Sequence, residues 1–414
     1  MRTPALAPFG FRSFRFQWPA DLAVSWAFEM ETLILGWYVL AETGSVRLLV
    51  LFGALQYAGA LISPMFGVAA DRIGHRDLLC ITRAIYAVMA ATLLALIVSG
   101  TLTPVLVLAI AGCVGLIRPS DMMMRNTLIA QSLPAAQLMG ALGLSRITTD
   151  SARVAGALAG AGAVAALGMG PAYLVILGMY AISCGLTLGI SRTPASSAAR
   201  VARAPTSPWS DLRQVLGYVW SKPELLAAMG IAFFANLLAY PFVMGLLPYV
   251  ARDVYGIGQA GLGILAASFA IGGLVGSIVV SANRRPLRPA RTMLLAAGSW
   301  FLATLAFAHT RSLATGSVAL LLIGFAQTLC MVPLLAVMLR SSDEEIRGRV
   351  MGMRMLAVWG LPIGLLLSGP AIAGMGFALT ATLYSLIGLT ITLLIALRWR
   401  THLWRHAALA NARL

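Results

Sequence analysis

The stretch TGSVALLLIGFAQTLCMVPLLAVML, residues 315–339, contains no charged side chain over 25 residues. The hydrocarbon core of a lipid bilayer is about 30 Å thick, and a helix of about 20 apolar residues crosses it. A helix at the surface of a water-soluble protein normally carries charges on one face, and no face of this stretch does. It therefore predicts a helix that spans a membrane.

Segments of similar length and apolar character recur along the chain. They lie near residues 18–41, 46–70, 78–99, 103–130, 138–168 and 171–191, and then near 224–251, 259–283, 290–309, 347–373 and 376–397. With residues 315–339 they make twelve, six on either side of a more polar segment. The sequence predicts an all-α integral membrane protein of twelve transmembrane helices in two pseudo-repeated six-helix bundles. Repeated halves of this kind are typical of secondary transporters.

The composition agrees with a membrane solvent. Hydrophobic residues make up 59% of the chain, charged residues 11%, and the mean hydropathy is +0.87, whereas about a quarter of a soluble domain is charged. The net charge of +16 would suggest a nucleic-acid partner in a soluble protein. In a membrane protein basic residues collect on cytoplasmic loops and contact anionic lipid. We therefore expect contact with membrane lipid and no nucleic-acid partner.

The basic residues alternate from loop to loop. They occur at the N-terminus and in 71–83, 192–222, 284–291, 340–354 and 398–413, while the intervening loops hold only Arg47, Arg252 and Arg311. Because basic loops stay in the cytoplasm, both termini are predicted to be cytoplasmic, in the plasma (inner) membrane of a bacterium.

Three regions are predicted: an N-terminal bundle over 1–191, a cytoplasmic linker over 192–222 and a C-terminal bundle over 223–414. The linker contains Ser207-Pro208, a typical helix start, followed by an apolar stripe that includes Leu216, Val219 and Trp220. Such a stripe suits a helix lying on the membrane surface. Packing on other cytoplasmic loops is an equally good reading.

The loop between the second and third predicted spans reads GVAADRIGHR, residues 67–76. It resembles the signature loop of the major facilitator superfamily, and the resemblance extends to the twelve spans and central linker. In that family the loop forms a cytoplasmic latch that favours the outward-facing state. The resemblance implies a working monomer and a gating role for five residues: Gly67, Asp71, Arg72, Gly74 and Arg76. The latch would close near Arg347 and Arg349. A turn that only sets orientation is the alternative.

A narrower resemblance involves GWYVL at 36–40, TGS at 43–45 and RGRVMG at 347–352. These strings are similar to the enterobactin-exporter and macrolide-efflux branch, which consists mostly of exporters driven by proton exchange. The chain departs from that pattern in two places. Residues 281–288 lack an acid, and Gly156-Ala157-Leu158 stands where exporters often have Gly-Pro.

Charged side chains within the apolar segments are candidates for proton or substrate coupling, because a charge at the bilayer centre costs roughly 2.5–3.5 kcal/mol and needs a cavity or a partner. Glu29 and Glu31 are about 200° apart around a helix, so they cannot share a face, and the sequence slightly favours Glu29 as the proton carrier. The other candidates are Arg118, Asp121 and Arg125 in the fourth span and Arg146, Asp150 and Arg153 in the fifth. The arginines of the fourth span are candidates to pair with the stripe around Asp150. A structural role is open for each of these residues.

Amides and aromatic rings within the spans are candidates for a roomy pocket that binds an amphiphilic ligand. They are Trp26, Gln56, Tyr57, Asn236, Tyr240, Gln327, Arg354 and Trp359. Packing or anchoring at the membrane interface is the alternative for each. Glycine pairs four residues apart (156 and 160, 272 and 276, 360 and 364) allow close helix contacts and are expected to form seams between the halves.

The sequence has no nucleotide-binding loop, no HExxH and no paired Cys/His set, so we expect no cofactor, no metal and no enzyme activity. The leading interpretation is a secondary active transporter, a proton-coupled exporter of an amphiphilic small molecule such as a drug, siderophore or lipid-like metabolite. An importer or facilitative uniporter is the alternative. A membrane-embedded sensor or enzyme is less favoured.

Overall fold

A computed structural model describes residues 8–60, 73–191, 208–282 and 288–405. The chain divides into two compact units. One unit consists of Met1–Ala202 with Gly256–Ala267, and the other of Arg203–Tyr255 with Ser268–Leu414. The described residues are helical with short connections and contain no strand.

Six helices lie in the described part of the first unit. They are α1 (Arg12–Thr43), α2 (Val46–Leu55), α3 (His75–Val98), α4 (Pro104–Ser132), α5 (Ala135–Leu167) and α6 (Met169–Leu188), with a 3-10 turn at Ala58–Ala60. Local sequence sets several ends. The side chains of Ser45 and Thr103 accept hydrogen bonds from the first-turn amides of α2 and α4, as residues at N-cap positions do.

Helix α1 lies at the centre of this unit, packed on α4, α5 and α6. Glycines allow α5 to approach it closely. A Cβ atom added at Gly156 would lie 2.9 Å from the Cβ atom of Glu29, and one added at Gly160 would lie 2.9 Å from the Cα atom of Met30. The pair at 272 and 276 packs against backbone of residues 321–325, and the pair at 360 and 364 against residues 233–237. Each of the three glycine pairs therefore packs within its own unit. The expectation that these glycine pairs form seams between the two halves is wrong.

The second unit contains more and shorter helices. They are α7 (Pro208–Ser221), α8 (Pro223–Leu238), α9 (Tyr240–Met244), α10 (Leu247–Tyr249), most of α11 (Gln259–Ala282), α12 (Pro289–Ala308), α13 (Leu313–Ser341), α14 (Glu344–Ala357), α15 (Gly360–Met375), α16 (Phe377–Arg398) and α17 (Arg400–Arg405). Rings of Phe242, Phe307 and Phe377 pack edge to face in its interior.

The seventh predicted span is broken into α8, α9, α10 and a π-helical turn over Val250–Val254. Pro241 has no N–H to offer the carbonyl of Leu237, and the α-helix ends at Leu238. Helix α15 packs against this carbonyl, because a Cβ atom added at Gly364 would lie 2.0 Å from the Leu237 oxygen. A glycine is therefore needed on the partner helix.

In the described part of the chain, each of the twelve predicted spans contains helix. Within it, seven helices are long and apolar enough to cross a membrane by length and composition: α3, α4, α6, α11, α12, α13 and α16. The other segments differ for local reasons. Charged residues lower the mean hydropathy of α1 and α5, and α2 ends before residues 61–72, which lie outside the described residues. The seventh span is broken, and the eleventh is divided between α14 and α15. The predicted fold class is confirmed.

The outer surface of both units carries large apolar side chains, as expected where lipid is the solvent. Leu174 and Leu302, for example, are 62% and 56% exposed. Helix α7 carries apolar side chains on two neighbouring faces, one buried and one exposed. Val215 and Val219 are buried, whereas Leu216 and Trp220 are exposed.

Lys222 joins α7 to the connection between α13 and α14. Its ammonium donates to the hydroxyl of Tyr218 at 2.6 Å, to the carbonyl of Ser341 at 3.2 Å and to Oδ1 of Asp343 at 2.9 Å. Hydrogen bonds from Lys222 and Tyr218 lower the pKa of Asp343. The bond to Tyr218 and then that to Asp343 raise the pKa of Lys222.

Candidate functional site

A buried ion network occupies one end of the first unit. Arg83 of α3 is paired with Asp21 of α1, and its Nε lies 3.6 Å from Oδ1 of Asp121 in α4. Arg125, one turn further along α4, is paired with Asp121 and lies 3.7 Å from Asp21. The two acids and Arg83 are at most 4% exposed. The network contains two charges of each sign, so its net charge is zero.

Neutral groups hold the network in place. Arg83 donates to the hydroxyl of Thr187 at 2.5 Å, and Arg125 donates to that of Ser25 at 3.1 Å. Gln17 donates to the carbonyl of Arg125 at 2.9 Å. Four helices are thereby joined through charged groups, and removing any one charge would leave another unbalanced away from water.

Glu31 of α1 lies apart from this network. It is 7% exposed and accepts a hydrogen bond from the hydroxyl of Tyr180 at 2.7 Å. Among the described residues no arginine or lysine lies within 4 Å of its carboxylate. Glu31 is thus a buried acid whose described hydrogen bond comes from a neutral phenol.

Glu31 also lines a small cavity of about 20 Å³ between α1, α2 and α4, enough for one water molecule. The other lining residues are Phe28, Thr32, Leu35, Phe52, Gln56, Ile110, Ala111 and Val114. Oε1 of Gln56 accepts hydrogen bonds from Thr32 and from Arg118, each at 3.3 Å. The cavity therefore has an acid on one wall and an arginine attached to another.

Arg118 stacks on aromatic rings. Its guanidinium carbon lies 3.3 Å from the centroid of the Phe28 ring and 5.8 Å from that of Tyr57. Two of the predicted cavity residues, Gln56 and Tyr57, are thus brought together with Arg118, which the sequence singled out for coupling.

Glu29 faces α5, as the spacing from Glu31 requires. Its Oε1 lies 3.9 Å from Nε of Arg153, and both side chains are about 30% exposed or less. Asp150, on the same helix, is 7% exposed. The side chain of Arg146 lies outside the described residues. Arg125 pairs with Asp121 and Asp21 instead of the stripe around Asp150, because Asp21 projects from α1 next to it.

The remaining predicted cavity residues are spread over both units. Tyr240 accepts a hydrogen bond from Gln327 at 2.6 Å and packs edge to face on Trp300. Asn236 donates to the carbonyl of Ala232 one turn earlier, at 2.8 Å. Arg354 lies near the end of α14 and Trp359 directly before α15. In the first unit Trp26 lies on α1, where its carbonyl faces Gly156.

The signature loop is only partly described. Gly67, Asp71 and Arg72 lie outside the described residues, as do the side chains of Arg347 and Arg349. Gly74 has a φ of 101°, which favours glycine, and it caps α3. Arg76 pairs with Asp77 at 2.7 Å and donates to the carbonyl of Leu188 at the end of α6.

Sequence reasoning missed three members of these clusters. Asp21 lies inside the first predicted span, so the charge criterion that selected Glu29 could have found it. Arg83 was counted with a basic loop, although α3 begins eight residues before it. Nothing in the sequence marks Tyr180, because its role is a hydrogen bond to Glu31 on another helix. Among the described residues no group of three or more His, Cys, Asp or Glu could hold a metal ion.

Solved structures show the same fold. The nucleoside transporter NupG is 12% identical with a TM-score of 0.73, covering 94% of this chain and 99% of that one. The POT family transporter PepTSo is 12% identical with a TM-score of 0.72, covering 94% and 98%. The human organic anion transporter MFSD10 (TETRAN) is 16% identical with a TM-score of 0.62, covering 93% and 99%. No curated protein matches the sequence.

The family model described as Major Facilitator Superfamily matches residues 21–366, which is most of the chain. The match contains most of the first predicted span, all of the second to tenth and most of the eleventh, and it includes Glu31 and the four charged residues of the ion network. The chain therefore belongs to the major facilitator superfamily, and it is a secondary transporter of small molecules, not an enzyme.

Proposed function

We propose that this transporter is a proton-coupled exporter of an amphiphilic small molecule, such as a drug, a siderophore or a lipid-like metabolite, and that it works by alternating access. The observation that carries the proposal is Glu31, a buried carboxylate that accepts a hydrogen bond from Tyr180 and lines a cavity. Among the described residues, no arginine or lysine within 4 Å balances its charge when it is ionised. Binding a proton removes the cost of holding that charge away from water.

The contacts favour Glu31 over Glu29 as the proton carrier. Glu29 has Arg153 within 4 Å, so its charge is partly balanced without a proton. Glu31 has no such partner among the described residues, and its environment changes when a molecule enters or leaves the cavity. A change in environment that alters proton binding is the link that coupled transport needs.

Other features support the direction and setting of the proposal. The strings at 36–45 and 347–352 resemble exporters of the enterobactin and macrolide branch. The basic loops favour cytoplasmic termini in a bacterial plasma membrane. We further propose a working monomer with bundles over 1–191 and 223–414, the linker 192–222 between them, and a latch formed by the signature loop at 67–76. Its partners are the substrate, protons and membrane lipid.

The test uses protein reconstituted in liposomes and three probes that share one fluorophore: dansylglycine, dansylamide and N-dansylethylenediamine. With an imposed pH gradient, wild type is expected to move at least one probe uphill while protons flow the opposite way. Glu31→Gln has a similar shape and still accepts a hydrogen bond from Tyr180, but it cannot bind a proton. It is expected to retain probe exchange without a gradient and to lose uphill movement.

Glu42→Gln is the matched control, because Glu42 is an exposed acid at the end of the same helix and should behave as wild type. Loss of uphill movement in Glu29→Gln but not in Glu31→Gln would reassign the proton carrier. Probe movement down its gradient without proton flow would replace the proposal by facilitated diffusion or import.

A further inference from the structure

Arg118 is a cation inside a spanning helix, and none of the described acids pairs with it. An arginine within the membrane is costly and normally faces a partner or a polar cavity. Its contacts are the rings of Phe28 and Tyr57 and the amide oxygen of Gln56. In the described part of the chain no carboxylate lies within 4 Å of its guanidinium.

The neighbouring arginines are arranged differently. Arg83 and Arg125 are paired with Asp21 and Asp121, and Arg153 lies 3.9 Å from Glu29. Each described arginine side chain within α3, α4 and α5 of the first unit thus has an acid within 4 Å, except Arg118. The packing of the unit therefore does not explain why a positive charge is kept at this position.

Arg118 lies next to the cavity, in contact with two residues that line it. Phe28 and Gln56, which it contacts, both line the cavity, and Val114, one turn before it on α4, does so too. Gln56 takes only one of the five N–H donors of a guanidinium. The ring of Phe28 lies against its flat face, and stacking of this kind fixes the plane in which the remaining donors point.

We propose that the transported molecule carries an anionic group, a carboxylate or a phosphate, and that Arg118 binds this group. This specifies the substrate class of the site described above and rests on the proposed function. A planar guanidinium matches both oxygens of such a group.

The test is equilibrium binding of the three dansyl probes to purified protein in detergent, without any gradient. Wild type is expected to bind the anion dansylglycine more tightly than neutral dansylamide or the cation N-dansylethylenediamine. Arg118→Gln is expected to weaken dansylglycine binding roughly tenfold to hundredfold, since a hydrogen bond to a charged group contributes about 1.5–3 kcal/mol. Dansylamide binding should stay within about twofold, which also shows that the variant is folded.

Two further variants sharpen the result. Arg118→Lys keeps the charge without the planar fork and should fall between wild type and Arg118→Gln. Arg213→Gln removes the same charge from an exposed position on α7 and should leave all three affinities unchanged. The proposal is overturned if wild type does not prefer dansylglycine, or if Arg118→Gln weakens dansylglycine and dansylamide equally.

Failure of the proposed function gives a different pattern. If Glu31→Gln still moves a probe uphill while Arg118→Gln loses the anion preference, proton coupling at Glu31 is wrong and anion recognition stands. If wild type moves a probe by proton exchange, Glu31→Gln loses this movement, and wild type does not prefer the anion, proton coupling at Glu31 stands and anion recognition by Arg118 is wrong.

Discussion

Replacing Arg83 by glutamine removes the guanidinium that joins Asp21 and Asp121 while leaving both carboxylates buried. The wild-type network has two acids and two arginines, so the variant has a net charge of −1 there. Removing one partner of a buried ion pair costs about 3–5 kcal/mol. Arg125 lies within 4 Å of both acids and compensates in part, which places the expected loss near the lower limit, about 3 kcal/mol.

For a cooperative unit of about 200 residues, each kcal/mol lowers the melting temperature by about 2–4 °C. The apparent Tm of Arg83→Gln is therefore expected to fall by roughly 6–12 °C. The measurement is intrinsic tryptophan fluorescence during heating of purified protein in dodecyl maltoside.

The matched test restores the balance of charge. Adding Asp21→Asn to Arg83→Gln removes the excess negative charge, so the double variant should melt at a higher temperature than Arg83→Gln alone. Arg213→Gln, an exposed change of the same type, should stay within about 0.5 kcal/mol of wild type. A melting temperature of Arg83→Gln within about 1 °C of wild type, or a double variant no more stable than Arg83→Gln, would refute the reasoning.

Two further predictions concern the second unit. Gly364→Ala places a methyl group 2.0 Å from the carbonyl oxygen of Leu237 and should destabilise the protein by about 1–3 kcal/mol, whereas Gly374→Ala, on the same helix with nothing within 4 Å, should not lower the apparent Tm. The carboxylate of Asp343 has a lowered pKa in the folded protein. Its contact with Lys222 therefore stabilises α7 fully at pH values above the ordinary pKa of a carboxyl group. This stabilisation is lost as the pH falls through the lowered pKa. Hydrogen-exchange protection of residues 208–221 should therefore decrease on acidification in wild type and show no such acid step in Asp343→Asn. An acid step of equal size in that variant would contradict the assignment.

The positions of the spans could be predicted from the sequence because lipid imposes one simple requirement on every segment. A spanning segment must be apolar over about 20 residues wherever it lies in the fold. The break in the seventh span has a local cause, since Pro241 lies inside that span and removes a helical hydrogen bond. The residue at which α8, the first helix of this span, ends could not be predicted from the sequence, because it depends on how α15 packs against α8.

The candidate site was less predictable, because its contacts join distant parts of the chain. Helical spacing shows that Glu29 and Glu31 point in different directions, but it does not say that Arg153 meets one and Tyr180 the other. Tyr180 is 149 residues from Glu31 in sequence. Asp21 was detectable by its charge alone, yet its role became visible only when α3 and α4 placed two arginines beside it.

The broken seventh span makes Pro241 and Gly364 interdependent, although more than a hundred positions separate them. The proline leaves the Leu237 carbonyl without its usual helical donor, and the glycine lets the neighbouring backbone come near enough to cover that oxygen. Restoring an N–H at position 241 would draw the carbonyl back toward its own axis and open space for a methyl group at 364. In related sequences, positions 241 and 364 are expected to change together. Where position 241 is not proline and the helix is straight, position 364 can hold a residue larger than glycine; where the helix is broken by proline, position 364 should be glycine.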